Sequence, residues 1–136
     1  MAPGTRRFLF LAAFIVVYLV GFIPTWMKLR DQTAQRDKAE HALTSTRLVK
    51  DLGSAAIDAR RAQYEAARLE ASAFMTAARF EIDAGDKSAL TQQQRDALTP
   101  LLAPRDELIT LLARSDPAAA ERLATLYVAV RKILGV

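Results

Sequence analysis

Hydrophobic and polar positions divide the chain into three regimes. From Phe8 to Met27 it reads FLFLAAFIVVYLVGFIPTWM, twenty residues without a charge, the length a helix needs to cross a hydrocarbon layer of about 30 Å. From Lys28 to Arg47 the apolar stripe disappears, and Asp31 to His41 (DQTAQRDKAEH) is made of strong helix formers that are polar all round, which predicts a solvated helical stalk. Placing Leu29 at either core position of a heptad puts Gln32 and Arg36, or Thr33, Arg36 and Glu40, in the seam, so a coiled coil is not predicted there.

Amphipathic periodicity returns at Leu48. Leu48, Val49, Leu52, Ala55, Ala56 and Ala59 share one helical face. A second helix carries Tyr64, Ala67, Ala71, Phe74 and Ala78 at alternating spacings of three and four, with Ala73, Ala77 and Phe80 expected to widen that buried stripe. Gly85 is expected to end it in the left-handed conformation. Thr91-Gln92-Gln93-Gln94 has the form of a capping box and predicts a helix start. Pro100 and Pro104 predict a break and a new start. Asp116-Pro117 predicts the last helix, Asp as cap and Pro as first helical residue, with Ala119, Leu123, Leu126, Tyr127, Val130, Ile133 and Leu134 buried.

These elements predict an all-α chain: a single N-terminal transmembrane helix, a polar helical stalk and a small four-helix bundle of antiparallel hairpins. The expected boundaries are 1–7 for a tail, 8–27 for the anchor, 28–47 for the stalk and 48–136 for the domain. The many alanines imply close helix approach.

Charge sharpens the picture. The net charge of +4 and the pI near 9.8 invite a nucleic-acid reading until the charges are placed. Arg6 and Arg7 precede the anchor, Lys28–Arg47 has five bases against three acids, and Leu48–Val136 has twelve of each. The excess therefore lies beside the predicted membrane segment, where Lys and Arg meet anionic headgroups, and no nucleic-acid partner is expected. Arg6, Arg7, Trp26, Lys28 and Arg30 are the expected interface anchors, and Pro24 is expected to kink the last turn.

The apolar run is longer than a signal-peptide core and has no A-x-A site after it, so the anchor is expected to be retained. Orientation has two readings. The short first flank, with Arg6, Arg7 and no acid, reads as cytoplasmic and faces the domain outward. The count over both flanks, two bases before and five after, points the other way. We take the outward-facing arrangement in the inner membrane as the expectation. Ala13, Val17 and Gly21 recur every four residues and could let another helix approach, without forming a true GxxxG motif, so homo-oligomerisation is open to the chain but has no sequence support.

Candidate chemistry is sparse. Cysteine is absent, which excludes disulfides and thiolate catalysis. His41 is the only histidine and is expected to be exposed in the stalk, with no second imidazole for a metal. Glu81, Asp83 and Asp86 fail the calcium-loop pattern, since position three from Asp83 is Gly85, position five Lys87 and position twelve Gln94. Asp106 and Glu107 suit the first turn of a helix. There is no phosphate loop, G-x-S-x-G or H-E-x-x-H. No catalytic residue, cofactor or metal is expected.

Leu52-Gly53 followed by Tyr64-Glu65-Ala66-Ala67 resembles the helical hairpin of a tetratricopeptide repeat over about 30 residues. The interval from Leu52 to Tyr64 is two residues longer than in the family, and no second copy follows, so the resemblance implies similar local packing rather than a repeat array. Arg61, Tyr64 and Arg68 are the candidate partner-contact residues, because Arg and Tyr are enriched at interface hot spots. The expected function is non-enzymatic: a single-pass scaffold, adaptor or accessory subunit that meets the lipid bilayer and another membrane or envelope protein of a bacterium. The alternative is a small-molecule sensor, with a ligand held between helices near Tyr64, Phe74 or Tyr127.

Overall fold

A computed structural model describes residues 3–136, with side chains described for residues 10–20 and 27–136. Among these residues the chain is all-α, without strands: α1 (Pro3–Arg60), α2 (Tyr64–Asp83), α3 (Gln92–Leu98), α4 (Arg105–Ala113) and α5 (Ala118–Leu134), with 3-10 turns at Gly85–Lys87 and Thr99–Leu102. The chain divides into two compact units, Met1–Ala39 and Glu40–Val136.

In the first unit every described side chain is exposed, from Phe10 to Val20 and from Met27 to Ala39. Among the described residues no helix is long and apolar enough to cross a membrane. The side chains of Phe8, Leu9 and Gly21–Trp26 lie outside the described residues, and so do the anchors Arg6, Arg7 and Trp26 and the expected kink residue Pro24. Lys28 and Arg30 are exposed.

The second unit holds the core. Leu48, Leu52, Ala55, Ala56 and Ala59 of α1 meet Ala67, Ala71, Phe74, Met75 and Ala78 of α2, and Leu98, Leu108, Leu112, Leu123, Val130 and Leu134 close the cluster. Helix α2 packs on α3 and α4, and both of these pack on α5. Phe74, with none of its surface exposed, is the largest fully buried side chain. Alanine and glycine let the elements approach: Gly53 faces the ring of Tyr127, and a Cβ at Gly53 would stand 3.1 Å from its Cε2.

Local signals explain the helix boundaries. Thr91 Oγ1 accepts from the Gln94 amide at 3.2 Å while Gln94 Oε1 accepts from the Thr91 amide at 3.0 Å, which completes the expected capping box. Gly85 has φ +56° after the end of α2. Asp116 Oδ1 accepts from the Ala118 amide at 2.9 Å, and Pro117 already has helical dihedrals, so this pair starts α5 as its sequence predicts. The two prolines divide the third helix into α3, a 3-10 turn and α4.

Two helix ends use the left-handed region without glycine. At the end of α1, Ala62 has φ +60°, with the Gln63 amide donating to Asp58 O at 2.8 Å and the Ala62 amide to Ala59 O at 3.1 Å. Ser115 repeats the pattern after α4 with φ 55°, and the Asp116 amide reaches Leu111 O at 2.9 Å. Both are Schellman closures, which favour glycine because a Cβ crowds the carbonyl there. Ala62→Gly is expected to stabilise the second unit by about 1 kcal/mol, read as a raised midpoint in urea with an unchanged slope.

Two expectations are corrected. Phe80 does not widen the buried stripe: it is 70 % exposed, and Ala73 is exposed with it. The buried face of α2 is filled by Ala67, Ala71, Phe74, Met75 and Ala78, and Phe80 lies about 120° around the helix from Phe74 at 100° per residue. His41 is not a solvated stalk residue. It is half-buried in the second unit, with Nε2 2.9 Å from Gln94 Oε1. The Gln94 side chain therefore joins the α3 cap to α1, and its Nε2 also points to Ile133 O on α5, 3.5 Å away.

Candidate functional site

The candidate surface is built on α2. Leu69, Ala73, Thr76 and Phe80 are spaced by four, three and four residues, and all four are exposed, so a heptad-like seam runs along the helix with no described residue of this chain over it. Leu69 and Phe80 supply bulk at its ends, being 60 % and 70 % exposed, and Ala73 and Thr76 leave the middle low. Beside the seam, α2 and α1 form an open groove whose walls include Thr44, Arg47, Ser72, Ala77 and Glu81. Most of the small residues come from α2, and on the α1 wall Arg47 is paired with Asp51 at 4.0 Å.

The three candidate contact residues are not equivalent. Arg61 is exposed in the turn between α1 and α2. Tyr64, the first residue of α2, is half-buried and packs against the core. Arg68 is clasped by Glu65: Nε donates to Oε2 at 3.0 Å and Nη2 to Oε1. That hydrogen bond, and secondarily the nearby charge, hold the Glu65 carboxyl below the ordinary glutamate range. A lowered carboxyl value contributes stability that is present above the unfolded pKa and lost as pH falls through the folded one, and for an exposed pair the contribution is small. In an NMR titration, Arg68→Ala is expected to return the Glu65 carboxyl upward to its ordinary range.

The acidic residues have structural roles. Glu81 Oε2 accepts from Ser88 Oγ and, at 2.9 Å, from the Ala89 amide, which anchors the loop after α2. Asp83 pairs with Arg79 at 3.2 Å. Glu107 of α4 pairs with Arg122 of α5 at 2.8 Å. Among the described residues no group of three or more His, Cys, Asp or Glu is placed to hold a metal ion.

Among the described residues one buried side-chain polar atom is unsatisfied. Ser45 Oγ is fully buried and has no hydrogen-bond partner among the described residues. A buried hydroxyl without a partner costs about 1–3 kcal/mol, and alanine is also the better helix former. Ser45→Ala is expected to stabilise the protein by about 1 kcal/mol, measured as a higher thermal midpoint.

A second concavity lies between α2, α4, α5 and the Thr99–Leu102 turn. It has a volume of about 260 Å³ and is walled mainly by apolar groups, with Met75, Leu101, Leu108 and Leu126 among them. Tyr64, Phe74 and Tyr127, around which a ligand cavity was expected, do not line it. Phe74 is sealed in the core, and Tyr127 lies against Gly53. Of the lining leucines, Leu126 is expected on the buried side of the last helix; that it borders a hollow depends on the proline break, which holds Pro100 and Pro104 at the edge. No protein-family model, curated protein sequence or solved structure matches the chain.

Proposed function

We propose that this chain is a non-enzymatic, membrane-tethered adaptor of the bacterial envelope, whose helical unit docks an amphipathic helix of another membrane or envelope protein on the exposed seam of α2. The observation that carries the reading is the seam itself: four positions at heptad spacing, exposed, with Leu69 and Phe80 at its ends. Apolar residues at this spacing are what a partner helix reads in helix-in-groove recognition. The open groove toward α1 gives the seam a second wall, formed by Thr44, Arg47 and Leu48.

Tethering is supported by the apolar run, whose described side chains from Phe10 to Val20 are all exposed. A contiguous apolar surface of this extent marks a membrane or protein contact. Anchoring by residues 8–27 confines the helical unit near the bilayer and raises its effective concentration toward membrane-bound partners. The basic first flank favours an inner-membrane protein with its helical unit outside the cytoplasm.

A photo-crosslinking residue at Thr76 tests the docking surface in cells. The expected result is a discrete heterologous adduct that Leu69→Glu and Phe80→Glu each reduce by about tenfold or more, at unchanged thermal midpoint because both side chains are exposed. Absence of an adduct, or an adduct indifferent to both charges, rejects the surface. Removal of residues 1–27 is expected to lower the adduct yield, and an unchanged yield rejects tethering as the mechanism.

A further inference from the structure

Two charged side chains line the groove between α1 and α2, and they are not equally satisfied. Arg47 is paired with Asp51, one turn along its own helix, at 4.0 Å. Glu81 has no cationic partner among the described residues. It is half-buried, and both hydrogen bonds to its carboxyl arrive at one oxygen: Oε2 accepts from Ser88 Oγ and, at 2.9 Å, from the Ala89 amide. Among the described residues no donor reaches Oε1. Two neutral donors pin the side chain without cancelling its charge, and one oxygen keeps its full acceptor capacity.

A carboxylate held in this way is preorganised for a cation. The loop after α2 already fixes its rotamer, so an arriving lysine or arginine has only its own side chain to order. Ala77 and Phe80 line the same groove, so the ion pair would form beside an apolar stripe, shielded from water on that side. No second unpaired charge lines the groove to compete with Glu81. Because Glu81 stands at the Phe80 end of the seam, it also fixes which end of a partner carries the cation, as charge pairs do when they set the register of an interface.

We propose that the occupant of this groove is a cationic amphipathic helix, whose apolar stripe lies on Ala73, Thr76 and Phe80 and whose lysine or arginine beside that stripe pairs with Glu81 Oε1. The proposal rests on the α2 seam as a docking surface and adds the charge and orientation of the partner.

The test uses the full chain in cells, with the photo-crosslinking residue at Thr76 and mass spectrometry of the adduct to map the segment it carries. Glu81→Gln keeps an oxygen acceptor for Ser88 and Ala89 and removes the charge. It is expected to lower the adduct yield about fivefold or more, with little change in thermal midpoint. Glu121→Gln removes an equal charge from the exposed face of α5, outside the groove, and is expected to leave the yield within about twofold. The mapped segment is expected to be an amphipathic helix with a lysine or arginine beside its apolar stripe. Changing that residue to glutamine is expected to lower the yield with the wild-type chain and to add no further loss to Glu81→Gln. A segment without a cation, or an adduct that Leu69→Glu abolishes and Glu81→Gln leaves unchanged, overturns the cationic partner and leaves the seam standing. A crosslink only between copies of this chain, or none at all, rejects the seam reading and this proposal together.

Discussion

Phe74→Ala is expected to lower the stability of the helical unit by about 3–5 kcal/mol and its thermal midpoint by roughly 15–30 °C. Phe74 has no exposed surface, and it sits on α2 in a core otherwise rich in alanine and leucine. The alanines of α1 and α2 have no side chain to move into the space a phenyl ring leaves, so collapse of the cavity is incomplete and a loss within this range is expected. Calorimetry on the wild type and Phe74→Ala measures the difference, and Phe74→Leu, which retains most of the volume, is expected to lose less than half as much. Because a unit of this size has a total stability of about 5–15 kcal/mol, the alanine variant stands close to unfolding at physiological temperature.

Gly53 gives the second large effect. A Cβ there would meet Tyr127 Cε2 at 3.1 Å and Cδ2 at 3.6 Å, closer than an unstrained contact with the ring edge. Replacing glycine inside a helix gains about 1 kcal/mol of propensity, and a small retreat of the ring consumes much of that gain, so Gly53→Ala is expected to change stability by less than about 1 kcal/mol. Gly53→Leu places further carbons where the ring lies and is expected to destabilise by about 2–3 kcal/mol. Combining it with Tyr127→Ala is expected to recover part of that loss. A double-mutant cycle measured by urea unfolding separates this contact from a general intolerance of side chains at position 53.

The local elements were legible because their determinants are local. The Thr91–Gln94 box, the left-handed Gly85 and the Asp116 cap each depend on residues within a few positions, and all three occur in the structure. The two glycine-free closures were not legible, since neither alanine nor serine signals φ near +60°. Their conformation is imposed by the helices that α2 and α5 must form immediately afterwards. Phe80 was misread because an apolar residue near a stripe resembles core, and only the placement of α3 and α4 decides which flank of α2 is covered. His41 was misread because its partner Gln94 lies 53 residues away, beyond any local pattern. The α2 seam has the heptad spacing a sequence can display, but its exposure is a tertiary fact. The cavity is likewise tertiary, set by two prolines that reveal where a helix stops and say nothing of the space left behind.

The Thr99–Leu102 turn gives the domain an uneven resistance to opening. Pro100 and Pro104 have no amide proton to donate, and the turn ends on a long bond from the Ala103 amide to Pro100 O at 3.4 Å. Segments held by few and weak backbone bonds open locally at free energies well below that of global unfolding. In hydrogen-exchange terms, the amides of the Thr99–Leu102 turn are expected to exchange faster than those of α2 around Phe74, which open only with the whole core. Opening of the turn and melting of the domain are thus expected to be separate events, governed by different barriers and alterable by different mutations.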